Sequence, residues 1–284
     1  MLCGGVWAQD EVKRQRDALQ DLIEKAYGGD AKALYDLAYL HDIGYDSIPV
    51  DSLRSTLLYL QSAEKGYPPA MNFLGFRYYT GEAINKNIDS AIYWIRKAAD
   101  SGDITAAANL GYLLTESDEI PHDYIEASKW LTIAVQEGVT DAQLKLLDIK
   151  KEEWLNLTPD SALVLGAKYY TGKAPIIGTE ILQTASLGGI PKADALLGDA
   201  YSKGIGVPYD HQKAIDHFLK AAKGGDPSAQ FVIGELLEIF PDALNNQPGM
   251  ENTDMIFPDY WLNKAAENGV TDSESAYQHL ITIP

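Results

Sequence analysis

The chain has 284 residues, of which 46% are hydrophobic and 23% charged, a composition typical of globular proteins that excludes fibrous and disordered classes. No apolar run reaches the roughly 18 residues of a transmembrane helix. The 41 acidic residues exceed the 23 basic ones and give a net charge of −18, which disfavours nucleic acid and anionic membranes as partners and favours a basic protein.

Residues 1–9 look like the end of a cleaved leader. Val6 and Ala8 fit the small-residue pattern before a signal-peptidase cut, which would make Gln9 the first mature residue. The missing basic region and the short apolar stretch leave a disordered N-terminus as the alternative. Cys3 is the only cysteine, so the sequence predicts no disulfide framework. We therefore expect an exported, periplasmic protein, with a cytoplasmic location as the alternative.

A glycine, a short polar or proline-containing link and an alanine-rich segment recur along the chain. The first glycines of these copies are Gly28, Gly66, Gly102, Gly138, Gly188, Gly224 and Gly269. Their spacings are 38, 36, 36, 50, 36 and 45 residues, so the basic period is 36 residues with two insertions. A period of this length accommodates two helices and two turns, and it predicts a repeat architecture.

The first helix of each period carries apolar residues on one face and a glycine in its middle. Ala70, Leu74 and Tyr78 lie at i, i+4 and i+8, on one side of a helix. Gly75 lies mid-helix, where glycine costs about 1 kcal/mol relative to alanine, so its recurrence predicts a closely approaching neighbour helix. The recurrences are Gly111, Gly166, Gly198 and Gly234, and the glycines expected to end first helices are Gly81, Gly172 and Gly204.

The second helix of each period has small alanines for close packing and a tryptophan between successive pairs. Trp94, Trp130 and Trp261 share one register, in which His217 once replaces tryptophan. The residues expected to cap the starts of second helices are Asp51, Asn87, Asp123 and Asp210.

This pattern resembles the Sel1-like repeat family, a relative of the tetratricopeptide repeats. Ala193–Gly225 matches the family pattern most completely, including Gly204-Ile205-Gly206-Val207 between its helices, and the resemblance covers roughly Asp17 to Gly269. The resemblance implies an all-α fold, a right-handed α-solenoid of stacked antiparallel helix pairs. It also implies a protein that binds proteins or peptides and does not imply an enzyme activity.

Length alone would fit one large or two small domains, but the repeat predicts a single solenoid over residues 10–284. Its repeats are expected near residues 30–66, 67–102, 103–138, 139–188, 189–224 and 225–269. Residues 270–284 are expected to form a terminal cap.

Two stretches depart from the period. Between the fourth and fifth glycines, three helical segments are predicted, at Asp141–Glu153, Pro159–Tyr170 and Thr179–Leu187. We prefer the second as the first helix of that repeat because it carries the mid-helix glycine, which leaves 141–157 as a degenerate repeat or an inserted helix. The stretch 240–258, rich in Pro, Asn and Asp, is either a functional insertion or a mobile loop.

Solenoids present their first helices along a concave face. With the helix alanine numbered 1 and the glycine 6, positions 1, 5, 8 and 9 are expected to be buried and positions 3, 7, 10 and 11 to face the groove. The aromatic and amide residues predicted to bind a partner are Tyr35, Tyr39, Asn72, Phe76, Tyr79, Tyr112, Tyr170 and Phe231. The acidic ones are Glu116, Asp199, Glu235, Glu238, Asp242, Glu251 and Asp254. Alternatively, several tyrosines pack between neighbouring first helices.

The predicted groove is aromatic towards the N-terminus and acidic towards the C-terminus. Residues 226–284 contain ten acids and one base, a charge of −9 that is half of the total. Exposed aromatic side chains commonly anchor protein interfaces, and a group of carboxylates attracts Lys or Arg. The sequence therefore predicts a partner that is a basic protein.

No motif for catalysis or metal binding stands out in the sequence. None of the five histidines forms a His-x-x-x-His pair or an HExxH motif, and no Gly-x-Ser-x-Gly elbow is present. His217 stands in the tryptophan position and is expected to pack rather than to bind a metal. We therefore predict no enzyme activity, no metal and no cofactor.

The predicted function is a non-enzymatic protein-binding scaffold, most specifically an immunity or inhibitor protein that neutralises a basic secreted antibacterial effector. The acidic C-terminal region, the groove pattern and the leader-like N-terminus favour this role. The alternatives are a cell-envelope assembly adaptor, a secreted host-interaction factor, and an envelope hydrolase, which would need a deep pocket with perturbed carboxylates. Nucleic-acid binding and membrane insertion are not expected.

Overall fold

Fifteen α-helices and one 3-10 helix, Asp254–Ile256, form the part of the chain that the computed structural model describes, residues 3–245, 247 and 254–282. The first seven are α1 (Cys3–Tyr27), α2 (Ala31–Ile43), α3 (Ser52–Glu64), α4 (Pro68–Thr80), α5 (Ile88–Asp100), α6 (Ile104–Glu116) and α7 (Tyr124–Gln136). The others are α8 (Thr140–Leu155), α9 (Pro159–Tyr170), α10 (Pro175–Leu187), α11 (Pro191–Lys203), α12 (His211–Lys223), α13 (Pro227–Ile239), α14 (Pro258–Glu267) and α15 (Ser273–Ile281). The predicted all-α repeat solenoid is confirmed.

The chain divides into two compact units, residues 1–134 and 135–284, and α7 ends just past this boundary. Three helix pairs build the first unit, namely α2 with α3, α4 with α5, and α6 with α7. Helix α1 begins at Cys3, inside the segment 1–9 interpreted as a leader remnant or a disordered N-terminus, and it packs on α2. Cleavage of that segment stays a prediction. Among the described residues, no helix has the length and hydropathy to span a membrane.

The mid-helix glycines lie where a second helix approaches the first, as predicted. A β-carbon on Gly75 would lie 2.5 Å from Ile95 Cγ1 of α5, and one on Gly111 would lie 2.5 Å from Leu131 Cγ of α7. In the second unit the equivalent contacts join Gly198 to Phe218, Gly166 to Leu182 and Gly234 to Leu262. With contacts this short, a side chain at the glycine position would force its neighbour to move, so glycine allows each pair to pack closely.

Side-chain caps fix the starts of the second helices. The carboxylate of Asp51 accepts a hydrogen bond from the backbone amide of Arg54. The side chains of the other predicted caps, Asn87, Asp123 and Asp210, likewise accept a hydrogen bond from the backbone amide three residues later. Gly81 and Gly204 end α4 and α11 in the left-handed region, with φ of 79° and 67°, as expected. The prediction that Gly172 caps α9 is wrong, because the C-cap residue is Thr171, in a right-handed conformation.

In the second unit, α9 pairs with α10, α11 with α12, and α13 with α14. The preference for α9 as a first helix is confirmed, since its glycine packs against α10. The preceding helix α8 is additional and lies against α10, held by Gln143, whose side chain bonds the backbone of Lys173 and Ile176. Helix α10 begins at Pro175 rather than at the predicted Thr179, because proline is well suited to the first turn of a helix.

The insertion between α13 and α14 is anchored at both of its described ends. Leu244 is fully buried near its start, and the Trp261 indole N–H donates a 2.8 Å hydrogen bond to the Met255 carbonyl near its end. Its middle, residues 246 and 248–253, lies outside the described residues.

The last helix, α15, leaves the repeat arrangement. Asp272 caps it with a capping box, and the helix then lies on α13 and reaches α11, which are both first helices. Buried Ala276 packs with Phe231 of α13, and Lys192 of α11 donates a hydrogen bond to the His279 carbonyl. The predicted terminal cap therefore covers the side of α13 and α11 that was expected to face the groove.

Candidate functional site

A concave site in the first unit gathers four of the residues predicted to bind a partner. We call it the Phe76 site; it has a volume of about 210 Å³, and its lining includes Phe76, Tyr79, Ile95, Tyr112 and Glu116. Phe76 is 52% exposed although it is a large apolar side chain. A lining of apolar side chains, two tyrosines and one acid is typical of a site that holds a protein side chain.

The repeat register explains why these side chains meet. Phe76 and Tyr112 both occupy position 7 of their first helices, α4 and α6, one residue after the glycine that faces the second helix. The close packing at Gly75 places Ile95 of α5 against α4, and Ile95 lines the site together with residues of α4 and α6. Lys86 lies 5.5 Å from the ring centroid of Tyr79, so a cation already contacts one aromatic face of the site.

The predicted residues of the earlier repeats have different environments. Tyr39 is exposed, as expected for a groove position. Tyr35 is only half-buried and its ring lies 5.3 to 5.7 Å from those of Tyr59, Tyr67 and Phe73, so it packs between helices, as the alternative anticipated. Burial raises the pKa of the Tyr35 hydroxyl above its ordinary value.

Asn72 corrects the groove prediction because it is buried. Its side-chain oxygen accepts a 3.0 Å hydrogen bond from Asn109 of the next first helix. Position 3 therefore faces the adjacent repeat at this point rather than solvent.

A second concave site lies in the other unit, between α11, α12, α13 and α15. We call it the Phe231 site; its volume is about 260 Å³, and its lining includes Asp199, Phe218, Phe231, Glu235 and Tyr277. Phe231 is only 8% exposed, so its predicted role as a groove surface residue is wrong for the chain with α15 in place. The physical reason is that Ala276 of α15 packs directly on it.

Tyr170 is a further correction. Its side chain is buried, and its hydroxyl donates a 2.7 Å hydrogen bond to Asp199 Oδ2. Burial, together with this carboxylate, raises the pKa of Tyr170 well above its ordinary value. Asp199 is itself largely enclosed, and its carboxylate also pairs with Lys203 at 2.7 Å. The hydrogen bond between Tyr170 and Asp199 joins α9 to α11.

The remaining predicted acids are on the surface. Glu116, Glu235, Glu238, Asp242 and Asp254 are all exposed. Glu251 lies outside the described residues. A role of these acids in binding a partner stays a prediction.

A buried charge network on α11 was not predicted from the sequence. The carboxylate of Asp194 is 1% exposed and lies 2.9 Å from His217 Nδ1, 3.0 Å from Lys220 Nζ and 2.7 Å from Ser186 Oγ. Burial alone raises the pKa of Asp194, but the hydrogen bonds from these three groups outweigh burial and hold the pKa below its ordinary value. The sequence did contain a signal for this network. Asp194 occupies the helix position that Met71, Ala107 and Gln230 occupy in other repeats, so an acid there is unusual.

His217 takes the tryptophan position of its repeat and stacks on Tyr201, with ring centroids 5.5 Å apart and planes 9° from parallel. It therefore packs as predicted, and it also contacts Asp194. Within the described part of the chain, no group of three or more His, Cys, Asp or Glu side chains is arranged to hold a metal ion.

Comparison with known families supports the repeat assignment. The family described as Sel1 repeat matches residues 31–67, 68–103, 104–139, 191–226 and 260–270, more than half of the chain. These segments include α2 to α7 and α11 to α12, so they contain both the Phe76 site and part of the Phe231 site.

Similar proteins occur in bacteria and in yeast. Uncharacterized protein NMB1327 of Neisseria meningitidis is 29% identical over 181 residues, 64% of this chain and 34% of that protein. Chitin synthase regulatory factor 4 of Schizosaccharomyces pombe is 24% identical over 302 residues, 90% of this chain and 45% of that protein. A solved Sel1 repeat protein from Oxalobacter formigenes is 23% identical with a TM-score of 0.43, covering 84% of this chain and 89% of that one. The chain thus spans less than half the length of these two curated relatives.

Proposed function

The chain belongs to the Sel1 repeat family, whose repeats serve as protein-binding scaffolds, and from this premise we propose that it binds and inhibits a basic protein. In its specific form, the proposal is an immunity protein that neutralises a basic antibacterial effector. The similar Schizosaccharomyces pombe protein is itself named as a regulatory factor of an enzyme. The observation that carries the proposal is the exposed acidic surplus of residues 226–284.

This acidic surplus is available to a partner. Of its ten acids, Asp226 is buried as the N-cap of α13 and Glu251 is outside the described residues, while the other eight are exposed. Like charges fixed on one part of a surface speed the association of a cationic protein and make binding sensitive to salt.

The Phe76 site supports the same proposal with apolar contact. Long-range charge mainly sets association rate and specificity, whereas a few aromatic anchors contribute most of the affinity of typical interfaces. Phe76, exposed beside two tyrosines, is the anchor that we propose for the partner.

Charge reversal on α13 tests the role of the acids. The immobilised chain is used to capture proteins from its native organism at about 50 mM and about 500 mM NaCl, and mass spectrometry identifies them. We expect a basic protein that is released at high salt and is not captured by the double variant Glu235→Lys/Glu238→Lys, since salt and reversal both remove the attraction.

The matched control is Asp148→Lys/Glu152→Lys, which makes the same change in net charge at two exposed acids of α8. This variant should still capture the protein. The acidic-surface proposal would be contradicted if the amount of captured protein did not depend on salt, or if both double variants lost capture to the same extent. The activity of the captured protein, measured with and without the chain, separates an inhibitor from an adaptor, because only an inhibitor lowers it.

A further inference from the structure

Helix α15 shows how a helix packs across the first helices of this repeat, where it forms one wall of the Phe231 site. Ser273, Ala276, Tyr277 and Leu280 lie at i, i+3, i+4 and i+7, and all four line the Phe231 site. Ala276 and Leu280 are buried, while the ring of Tyr277 lies 5.6 Å from Lys203 Nζ of α11. One apolar face with this spacing is the usual way in which an amphipathic helix enters a groove.

The Phe76 site is the repeat-equivalent of the Phe231 site. Four residues of the Phe76 site have counterparts in the Phe231 site that follow 123 residues later in every case. The pairs are Phe76 and Asp199, Ile95 and Phe218, Asn109 and Val232, and Tyr112 and Glu235. The floors match because Ile95 and Phe218 are the residues that pack on the mid-helix glycines of α4 and α11.

The two sites differ in what covers them and in their position-7 residues. Among the described residues, the lining of the Phe76 site comes from α4, α5, α6 and the adjoining Ser117, with no counterpart of α15. Where the Phe231 site has the acids Asp199 and Glu235, the Phe76 site has the aromatic residues Phe76 and Tyr112, so its position-7 residues are aromatic rather than acidic. Aromatic faces and the exposed Glu116 favour an apolar helix that also carries basic residues.

We propose that the Phe76 site binds one amphipathic helix of a partner protein, packed across α4 and α6 as α15 packs across α11 and α13. The helix presents a small residue, an aromatic residue and a leucine at i, i+1 and i+4, as Ala276, Tyr277 and Leu280 do, with Lys or Arg beside this face. This inference rests on the proposed function, because it names the part of the partner that the scaffold recognises.

A peptide of residues 271–282, labelled with a fluorophore, is the probe. Fluorescence anisotropy measures its binding to the full chain, to Phe76→Asp, and to Tyr93→Asp as the control, since Tyr93 is a similarly exposed aromatic residue of α5 outside the site. We expect Phe76→Asp to weaken binding at least about tenfold and Tyr93→Asp to change it less than about twofold. Substituting an anchor residue of an interface typically removes about 1.4 kcal/mol or more of binding free energy, which corresponds to this tenfold loss. Circular dichroism melts confirm that both variants fold.

Peptide variants test the two parts of the recognition. Replacing Tyr277→Ser and Leu280→Ser in the peptide should abolish binding, because the apolar face is lost. A peptide with Glu274→Lys and Gln278→Lys, at two exposed positions outside the lining face, should bind more tightly than the parent and lose that advantage in salt.

Each outcome decides the proposal. Binding that survives Phe76→Asp would show that the peptide binds elsewhere, for example by displacing α15, and would overturn the assignment. Failure of both the parent and the basic peptide to bind would overturn it as well. The capture experiment on the acidic surface is independent, so it can fail while the Phe76 site binds helices, or succeed while the peptide does not bind.

Discussion

Asp194 remains charged although it is buried, because three donors surround it. A carboxylate taken out of water costs free energy unless hydrogen bonds and an opposite charge replace the water. His217, Lys220 and Ser186 supply these contacts, and Lys220 also donates to the Ser186 carbonyl at 3.0 Å. The network thereby joins α10, α11 and α12 through one side chain.

Replacing this carboxylate should reduce stability in a pH-dependent way. We expect Asp194→Asn to lower the free energy of unfolding by about 2 kcal/mol at neutral pH. Because the folded-state pKa is depressed below the reference value of 3.8, the contribution of the charge is complete above that value and is lost as the pH falls through the folded-state pKa. Urea titrations across this range should show the difference narrowing below about pH 4.

The control for this substitution is Asp148→Asn, at an exposed acid of α8, which should leave stability nearly unchanged at every pH. A loss for Asp194→Asn that stays the same size in acid would show that shape, rather than charge, explains the effect.

Helix pairs in this protein depend on glycine at one position of the first helix. The surroundings of that position differ among repeats. At Gly75 a β-carbon would meet backbone atoms, Ala91 O at 3.0 Å and Ile95 N at 3.1 Å, besides the Ile95 side chain. At Gly111 the three nearest atoms all belong to the Leu131 side chain. A side chain can shift more easily than a helix backbone, so the two positions should tolerate alanine differently.

We expect Gly75→Ala to destabilise the protein by about 2 kcal/mol, because α4 and α5 must separate, which outweighs the gain in helix propensity of about 1 kcal/mol. Gly111→Ala should cost less, since Leu131 can change rotamer. Thermal melts of both variants show which substitution destabilises the protein more, and Thr105→Ala at an exposed position of α6 is the control. Equal losses at the two glycines would contradict the packing described here.

Charge acts on the molecule as a whole. With 41 acids and 23 bases, repulsion between like charges opposes the compact state throughout the chain. Individual attractive pairs exist, such as Arg77 with Asp42 at 2.5 Å, but the acids outnumber the bases that could neutralise them.

Salt should therefore stabilise this protein. We expect the melting temperature to rise between about 10 and about 200 mM NaCl, because screening weakens the net repulsion more than it weakens the ion pairs. In Glu235→Lys/Glu238→Lys the net charge falls from −18 to −14, so its melting temperature should rise less over the same range. A melting temperature that falls with salt in the unmodified chain would show that ion pairs dominate instead.

Periodicity alone was enough to predict the helix pairs, the residues that cap the starts of the second helices and four members of the Phe76 site. Helical hydrogen bonds and caps join residues close in sequence, so Asp51, Asn87 and Gly75 could be assigned from local spacing. The places of Phe76 and Tyr112 in the site could be predicted from the same spacing, because equivalent positions of successive repeats have the same geometry.

The burial of Asn72, Tyr170 and Phe231, and the charges around Asp194, could not be obtained in this way. Tyr170 meets Asp199 across 29 residues, and Phe231 is covered by a helix that turns back from the end of the chain instead of continuing the stack. A periodic pattern states which face of a helix is apolar or polar. Whether that face is covered depends on contacts between distant segments, and their free energy is a property of the packed fold rather than of local spacing.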